Sequence, residues 1–156
     1  MAIATVATQA HGAPLEGGWA IAIRQRRKAL LQRLGMAAAT AMIFSPLLGW
    51  PLSVAWVLGY FTIQALDVWV FSPINSGRAE RLTGFRNLAG WLMLIGNAGY
   101  FGSLSIPMWL LGGPMGGICA AMLLSAGCIY SVINAPRSTS VMLMTASVQF
   151  LYLAAT

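Results

Sequence analysis

The chain has 156 residues, 58% of them hydrophobic and only 8% charged, and its mean hydropathy is +0.75. Nine basic and three acidic residues cannot furnish a water-facing surface for a domain of this length, which excludes an ordinary soluble globular protein. The net charge of +6 belongs, in so apolar a chain, to loops beside an anionic lipid surface, and nucleic acid is excluded as a partner.

The first segment, residues 1–18, is rich in small residues and reads as a flexible tail. It has no basic stretch followed by a long apolar run, so it is not a secretory signal. His11, the only histidine, lies in it with no neighbouring metal-ligand types, so no metal site is expected there. Residues 19–33 place Trp19, Ile23, Leu30 and Leu34, just beyond, on one helical stripe. Arg24, Arg26, Arg27, Lys28 and Arg33 fall largely elsewhere. That pattern predicts a basic amphipathic helix lying in the headgroup region, either as a simple anchor or as a lipid-binding or signalling element.

Residues 34–156 predict a transmembrane helical bundle. Residues 34–71 form one apolar block, too long for a single crossing of ~30 Å and about right for two. It breaks at Gly49-Trp50-Pro51, which places spans at about 31–49 and 51–71. A polar loop (72–86) follows, then a span at about 87–106 that ends in the turn signals Pro107, Gly112, Gly113 and Pro114. Further spans are expected at about 114–134 and 139–156, separated by the Ala135-Pro136-Arg137-Ser138 break. The fold class is thus all-α: a polytopic membrane bundle of about five transmembrane helices preceded by the amphipathic helix.

In this topology all the basic residues fall on one side: Arg24, Arg26, Arg27, Lys28 and Arg33 before the first span, Arg78, Arg81 and Arg86 after the second, and Arg137 before the fifth. They read as cytoplasmic anchors and put the N-terminus inside. The aromatics mark the two interfaces, with Trp50 and Trp109 outside and Trp69, Phe71, Phe85 and Trp91 inside. Thr156 then ends within an apolar run, on the outer side or still in the bilayer. The expectation is that a sixth span and more of the chain follow, or that a neighbouring subunit covers the end.

Within the second span, Ser53, Trp56, Tyr60, Gln64 and Asp67 are spaced 3, 4, 4 and 3 residues apart and share one helical face. A polar stripe faces lipid only at high cost, so it is expected to face the bundle interior. Asp67 is the only acid in a predicted span. It reads either as a carboxylate that senses a ligand, ion or proton, or as an interfacial acid that snorkels to the surface or pairs with Arg78, Arg81 or Arg86. Asn97, deeper in the third span, suits an interhelical hydrogen bond. Tyr60, Gln64, Asp67 and Asn97 are the candidate ligand-sensing face.

Gly113, Gly117, Ala121 and Ser125 recur every four residues in the fourth span, a small-residue seam that lets helix backbones approach, within the chain or across a homodimer. Gly96, Gly99 and Ser103 echo it in the third. Cys119 and Cys128 point to opposite helix faces, about 13.5 Å apart along the axis, too far for a disulfide. With no embedded histidine, no phosphate loop, no paired carboxylates and no nucleophile–base set, neither a catalytic residue nor a cofactor is expected.

Three stretches carry a resemblance: "PINSGRAERLTGFRNLAGW" (73–91), "MWLLGGPMGGICAAMLLSAG" (108–127) and "NAPRSTSVMLM" (134–144). A basic loop opening a span, a Trp-bearing Gly-Gly turn opening a small-residue helix and an Arg-Ser break follow in that order. Together they resemble the N-terminal membrane region of proteobacterial sensor histidine kinases, over roughly residues 20–156. The resemblance implies a bacterial inner-membrane location and a sensory and anchoring role, with the phosphoacceptor and ATP-binding domains absent from this chain. The alternatives are a small accessory subunit of a larger membrane complex and a small dimerising transporter. Any cue must be read within the membrane or at its surfaces, because the outer loops are only a few residues long.

Overall fold

The computed structural model describes residues 18–134 and 138–155, and everything in it that is regular is helix. The elements are α1 (Gly18–Lys28), α2 (Leu30–Leu48), α3 (Trp50–Val70), α4 (Ser72–Asn75), α5 (Phe85–Ser103), α6 (Ser105–Leu111), α7 (Gly113–Asn134) and α8 (Thr139–Ala155). The tail with His11, the break with Arg137, and Thr156 lie outside the described residues.

Local chemistry sets the boundaries. α2 and α3 form a hairpin joined by Gly49 alone, whose φ of 81° is a left-handed conformation that a side chain would strain. Pro51 follows in the first turn of α3, where its missing N–H costs no helical bond. Positive-φ glycines also bound the polar loop, at Gly77 and Gly84, and Gly113 opens α7. α6 continues from α5 past Leu104 as a short helix that packs on α7 and α2.

The long helices form a ring of neighbours in the order α2, α3, α5, α8, α7, with α6 joining α7 back to α2. α1 lies under this ring against α2, α4 and α7. Two apolar layers fill the inside. One contains Ala20, Ile23, Val70, Phe71, Ile74, Leu82, Leu94 and Val141; the other contains Ala37, Ala41, Leu48, Trp56, Tyr60, Leu104, Met108, Ala120 and Leu123. Along α3 and α5 the polar residues Gln64, Asp67 and Asn97 fall between the two. Large apolar side chains such as Leu31, Ile43, Leu58, Leu110, Met122 and Leu151 cover much of the outside, a surface suited to hydrocarbon.

Three helices are long and apolar enough to cross a membrane: Leu30–Leu48, Trp50–Val70 and Gly113–Ile133. The expected count of about five is therefore met only in part. α5 has the length but carries Arg86, Asn87, Asn97 and four glycines, which lower its apolar character. α8 is apolar but only 17 residues long.

Two further expectations need correction. The pre-span helix does not run unbroken over 19–33. A turn at Ala29 ends α1, so Arg33 belongs to the first turns of α2 and points inward. Phe71, expected in an interfacial belt, is 1% exposed, because the chain turns at this residue into α4 and the ring lies against Gly90 of α5, in the cluster with Ala20 and Ile23. Trp50, Trp69, Trp109 and Phe85 are exposed.

Candidate functional site

The polar face of α3 is buried along its whole length: Ser53, Trp56, Tyr60, Gln64 and Asp67 are all inside. Asp67 receives a hydrogen bond from Arg26, Nη2 to Oδ1 at 3.3 Å. Arg33 approaches its other oxygen, with Nη1 3.8 Å from Oδ2, beyond hydrogen-bonding distance. The sequence reading paired Asp67 with Arg78, Arg81 or Arg86 instead. Those three are exposed. The difference arises from α1, whose Ala20 and Ile23 pack with Phe71 and Ile74 and so carry Arg26 beneath the end of α3.

The basic residues thus divide into two groups. Arg24, Arg27 and Lys28 are exposed, and Arg27 Nη1 donates to the carbonyl of Asn75 at 3.3 Å. Arg26 and Arg33 are drawn inward, with side chains 11% and 4% exposed. Burial, and then the neighbouring Arg33 charge, pull the Arg26 guanidinium below its ordinary pKa, while Asp67 opposes that shift. Glu80, the other acid among the described residues, is exposed. Two guanidiniums therefore share one carboxylate in the interior, an excess of positive charge where uncompensated charge is costly.

One turn deeper, Gln64 Nε2 donates to Asn97 Oδ1 at 3.1 Å and ties α3 to α5. Gln149 Nε2 donates to the carbonyl of Ala98 at 2.8 Å and ties α8 to α5. Thr145 Oγ1 donates to the carbonyl of Val141 at 2.8 Å. These bonds leave Gln64 Oε1, Asn97 Nδ2 and Gln149 Oε1 buried without a partner among the described residues.

A cavity of about 70 Å³ opens beside this layer and is lined from six helices. Arg26 comes from α1, Arg33 from α2, Tyr60 from α3, Asn97 from α5, Tyr130 from α7 and Gln149 from α8. Its far end meets an aromatic stack. Trp56 lies 5.6 Å from Tyr60 and 5.9 Å from Tyr100, between ring centroids. Trp56 Nε1 donates to the carbonyl of Tyr100 at 3.2 Å, and Tyr100 Oη donates back to the carbonyl of Trp56 at 3.1 Å. This reciprocal clasp locks α3 to α5, and Tyr60 and Phe101, which pack on Trp56, line the cavity.

Tyr60 and Asn97 line the cavity directly, while Gln64 and Asp67 stand behind it and hold Asn97, Arg26 and Arg33. Arg33, Thr145, Gln149 and Tyr130 were not on the sequence-derived sensing face. For α8 a signal existed: Val141, Thr145 and Gln149 are spaced by four residues and form a buried face. Within the chain the small residues of α7 are covered unequally. Gly117 packs under the Trp109 ring, Ala121 is half-buried, and Gly113 and Ser125 are exposed. The buried row is Gly116, Ala120 and Leu124, then Gly127 beside Gln149. Cys119 and Cys128 are free thiols. Among the described residues no group of His, Cys, Asp or Glu gathers as a metal site.

Fold and site together define an all-helical bundle with three helices fit to cross a membrane and a charged, partly unsatisfied cavity at its centre. Comparison of the chain with protein families, with curated proteins and with solved structures finds no match.

Proposed function

We propose that the chain is the sensory and anchoring module of a signal-transduction protein in a bacterial inner membrane. It crosses five times with its N-terminus in the cytoplasm, α5 and α8 completing the set. At 19 and 17 residues these helices extend about 28 and 26 Å, close to the hydrocarbon thickness when polar side chains face inward. The basic residues Arg24, Arg27, Lys28, Arg78, Arg81 and Arg86 support that orientation by exposing their charge at the α1 and α4 end.

The observation that carries the reading is the Arg26–Asp67 ion pair. It ties α1, outside the spanning helices, to the polar layer within them. Any event that changes the charge or hydration of the cavity changes the hold on α1. A shift of α1 is then available to whatever output the module serves, and the resemblance to sensor kinase membrane regions suggests a phosphorelay.

The test is chromosomal replacement by Asp67→Asn in the source bacterium, with membrane abundance checked by immunoblot and the transcriptome compared with wild type and with a deletion. A sensory module gives an altered transcriptome in both strains. A transporter gives altered solute uptake instead, and an accessory subunit gives loss of a co-purifying partner. Wild-type transcriptomes in the deletion and in Asp67→Asn would remove the sensory reading.

A further inference from the structure

The cavity also says something about its occupant, taking the bundle to be the sensing element proposed above. The geometry points to a small monocarboxylate as the ligand of this cavity, held by the guanidinium of Arg33 and by the amide of Asn97.

Four observations lead there. First, the charge balance: Arg26 and Arg33 face Asp67 alone, so the layer lacks one negative charge among the described residues. An anion of charge −1 restores neutrality in a setting where water cannot. Second, the free donors: Arg26 already bonds Asp67, whereas Arg33 stands 3.8 Å from it and lines the cavity with its planar fork uncommitted to that carboxylate. A guanidinium fork matches the two oxygens of a carboxylate. Third, Asn97 is 5% exposed and its Nδ2 has no partner among the described residues, while its Oδ1 is already taken by Gln64. The hydrogen-bonding capacity left on this lining residue is therefore a donor rather than an acceptor. Fourth, the size: a cavity of about 70 Å³ has room for a carboxylate of a few heavy atoms together with a water, which suits acetate. The water, or a hydroxyl of the ligand, answers Gln149 Oε1, the buried acceptor of another lining residue.

A carboxylate in this place competes with Asp67 for the guanidiniums. The ligand takes Arg33 from Asp67 and leaves the Asp67 carboxylate to Arg26 alone, which connects occupancy to α1.

The experiment uses the whole chain purified in detergent and in nanodiscs. Heat release and thermal stability are titrated with sodium acetate against sodium gluconate, a much larger and polyhydroxylated anion, at matched ionic strength. The expected result is a saturable heat and a stability increase with acetate and none with gluconate. Arg33→Gln and Asn97→Leu should each weaken binding, Arg33→Gln by about ten- to a hundredfold, the range for losing a charged hydrogen bond. Arg24→Gln, an exposed control, should leave it unchanged. Because Arg33→Gln could also unfold the protein, Asn97→Leu is read independently, each variant being checked by gel filtration.

Equal responses to acetate and gluconate, no response to either, or unchanged acetate binding in both folded variants would overturn the assignment. So would nanodiscs in which phosphatidylglycerol, replacing phosphatidylcholine, stabilises the wild type through Arg33 and acetate adds nothing. The guanidiniums would then hold a lipid phosphate. None of these outcomes touches the transcriptome test, so the sensory reading and the ligand assignment fail separately.

Discussion

Replacing Asp67 with Asn is the most informative perturbation of the bundle. The carboxylate is 8% exposed and lies 3.3 Å from one guanidinium and 3.8 Å from a second. At an effective dielectric of ~20, these separations correspond to roughly 5 and 4 kcal/mol of gross attraction. Desolvation of three charges cancels much of that, so the gross figures are not the loss on mutation. The loss comes from stranding two buried guanidiniums without a counter-charge, about 3–5 kcal/mol for breaking a buried pair. For a chain of this size that lowers the melting temperature by roughly 10 °C. It also frees α1, which carries Arg24, Arg26, Arg27 and Lys28, so trypsin should cut there faster. Adding Arg26→Gln to Asp67→Asn removes one stranded charge and should recover part of the stability, a coupling measurable as a double-mutant cycle. A melting temperature within about 1 °C of wild type, with unchanged trypsin cleavage, would refute the claim that Asp67 holds α1.

Three other outcomes follow from the packing. Ile23→Ala should cost about 2–5 kcal/mol, because Ile23 is 2% exposed in the apolar layer with Phe71 and Ile74. An α1 lying loose in headgroups would show almost no loss in the same denaturation assay. Asn97→Ala should cost about 1–3 kcal/mol by leaving Gln64 buried with no partner, whereas Gln64→Leu combined with Asn97→Leu should be nearly neutral in thermal unfolding. Gly116→Ala should fail to accumulate as a stable protein, because its Cβ would collide with the backbone carbonyl of Met108, which cannot swing aside as a side chain would. Gel filtration of the expressed variant checks this, and a monodisperse wild-type profile would count against the close approach of α6 and α7.

How much of this was legible in the sequence depended on whether the information was periodic. The face Ser53–Trp56–Tyr60–Gln64–Asp67 was readable because helical spacing places residues 3 and 4 apart on one side, and lipid disfavours a polar side. The α2–α3 hairpin was readable because Gly49 and Pro51 are local signals. The partners of Asp67 were not. They depend on α1 folding back under the bundle, a long-range contact set by Ala20 and Ile23 meeting Phe71 and Ile74, and nothing local in a basic amphipathic stretch separates a helix on lipid from one on protein. Which small residues the chain itself covers was not legible for a related reason. Small residues occur on several faces of α7, with Gly116 and Gly117 adjacent, and only the position of Trp109 decides which of them is covered from outside.

The polar layer bears on why the bundle has two apolar cores instead of one. A continuous apolar interior would be easier to fill, since packing alone satisfies it. Here the layer between the cores contains three charges and three amides, and each amide is only half-satisfied within the described residues. Above it the Trp56–Tyr100 clasp fixes α3 on α5, and below it Phe71, Ile74 and Ile23 fix α1 on α4. A layer left short of partners between two tightly fixed ones has its alternative arrangements confined to itself. It can therefore respond to a change in charge or occupancy while the apolar layers keep the helices in register. Arg26 joins that layer to α1 and its exposed basic residues, which is why that ion pair, rather than the glycine seam, is the element to perturb first.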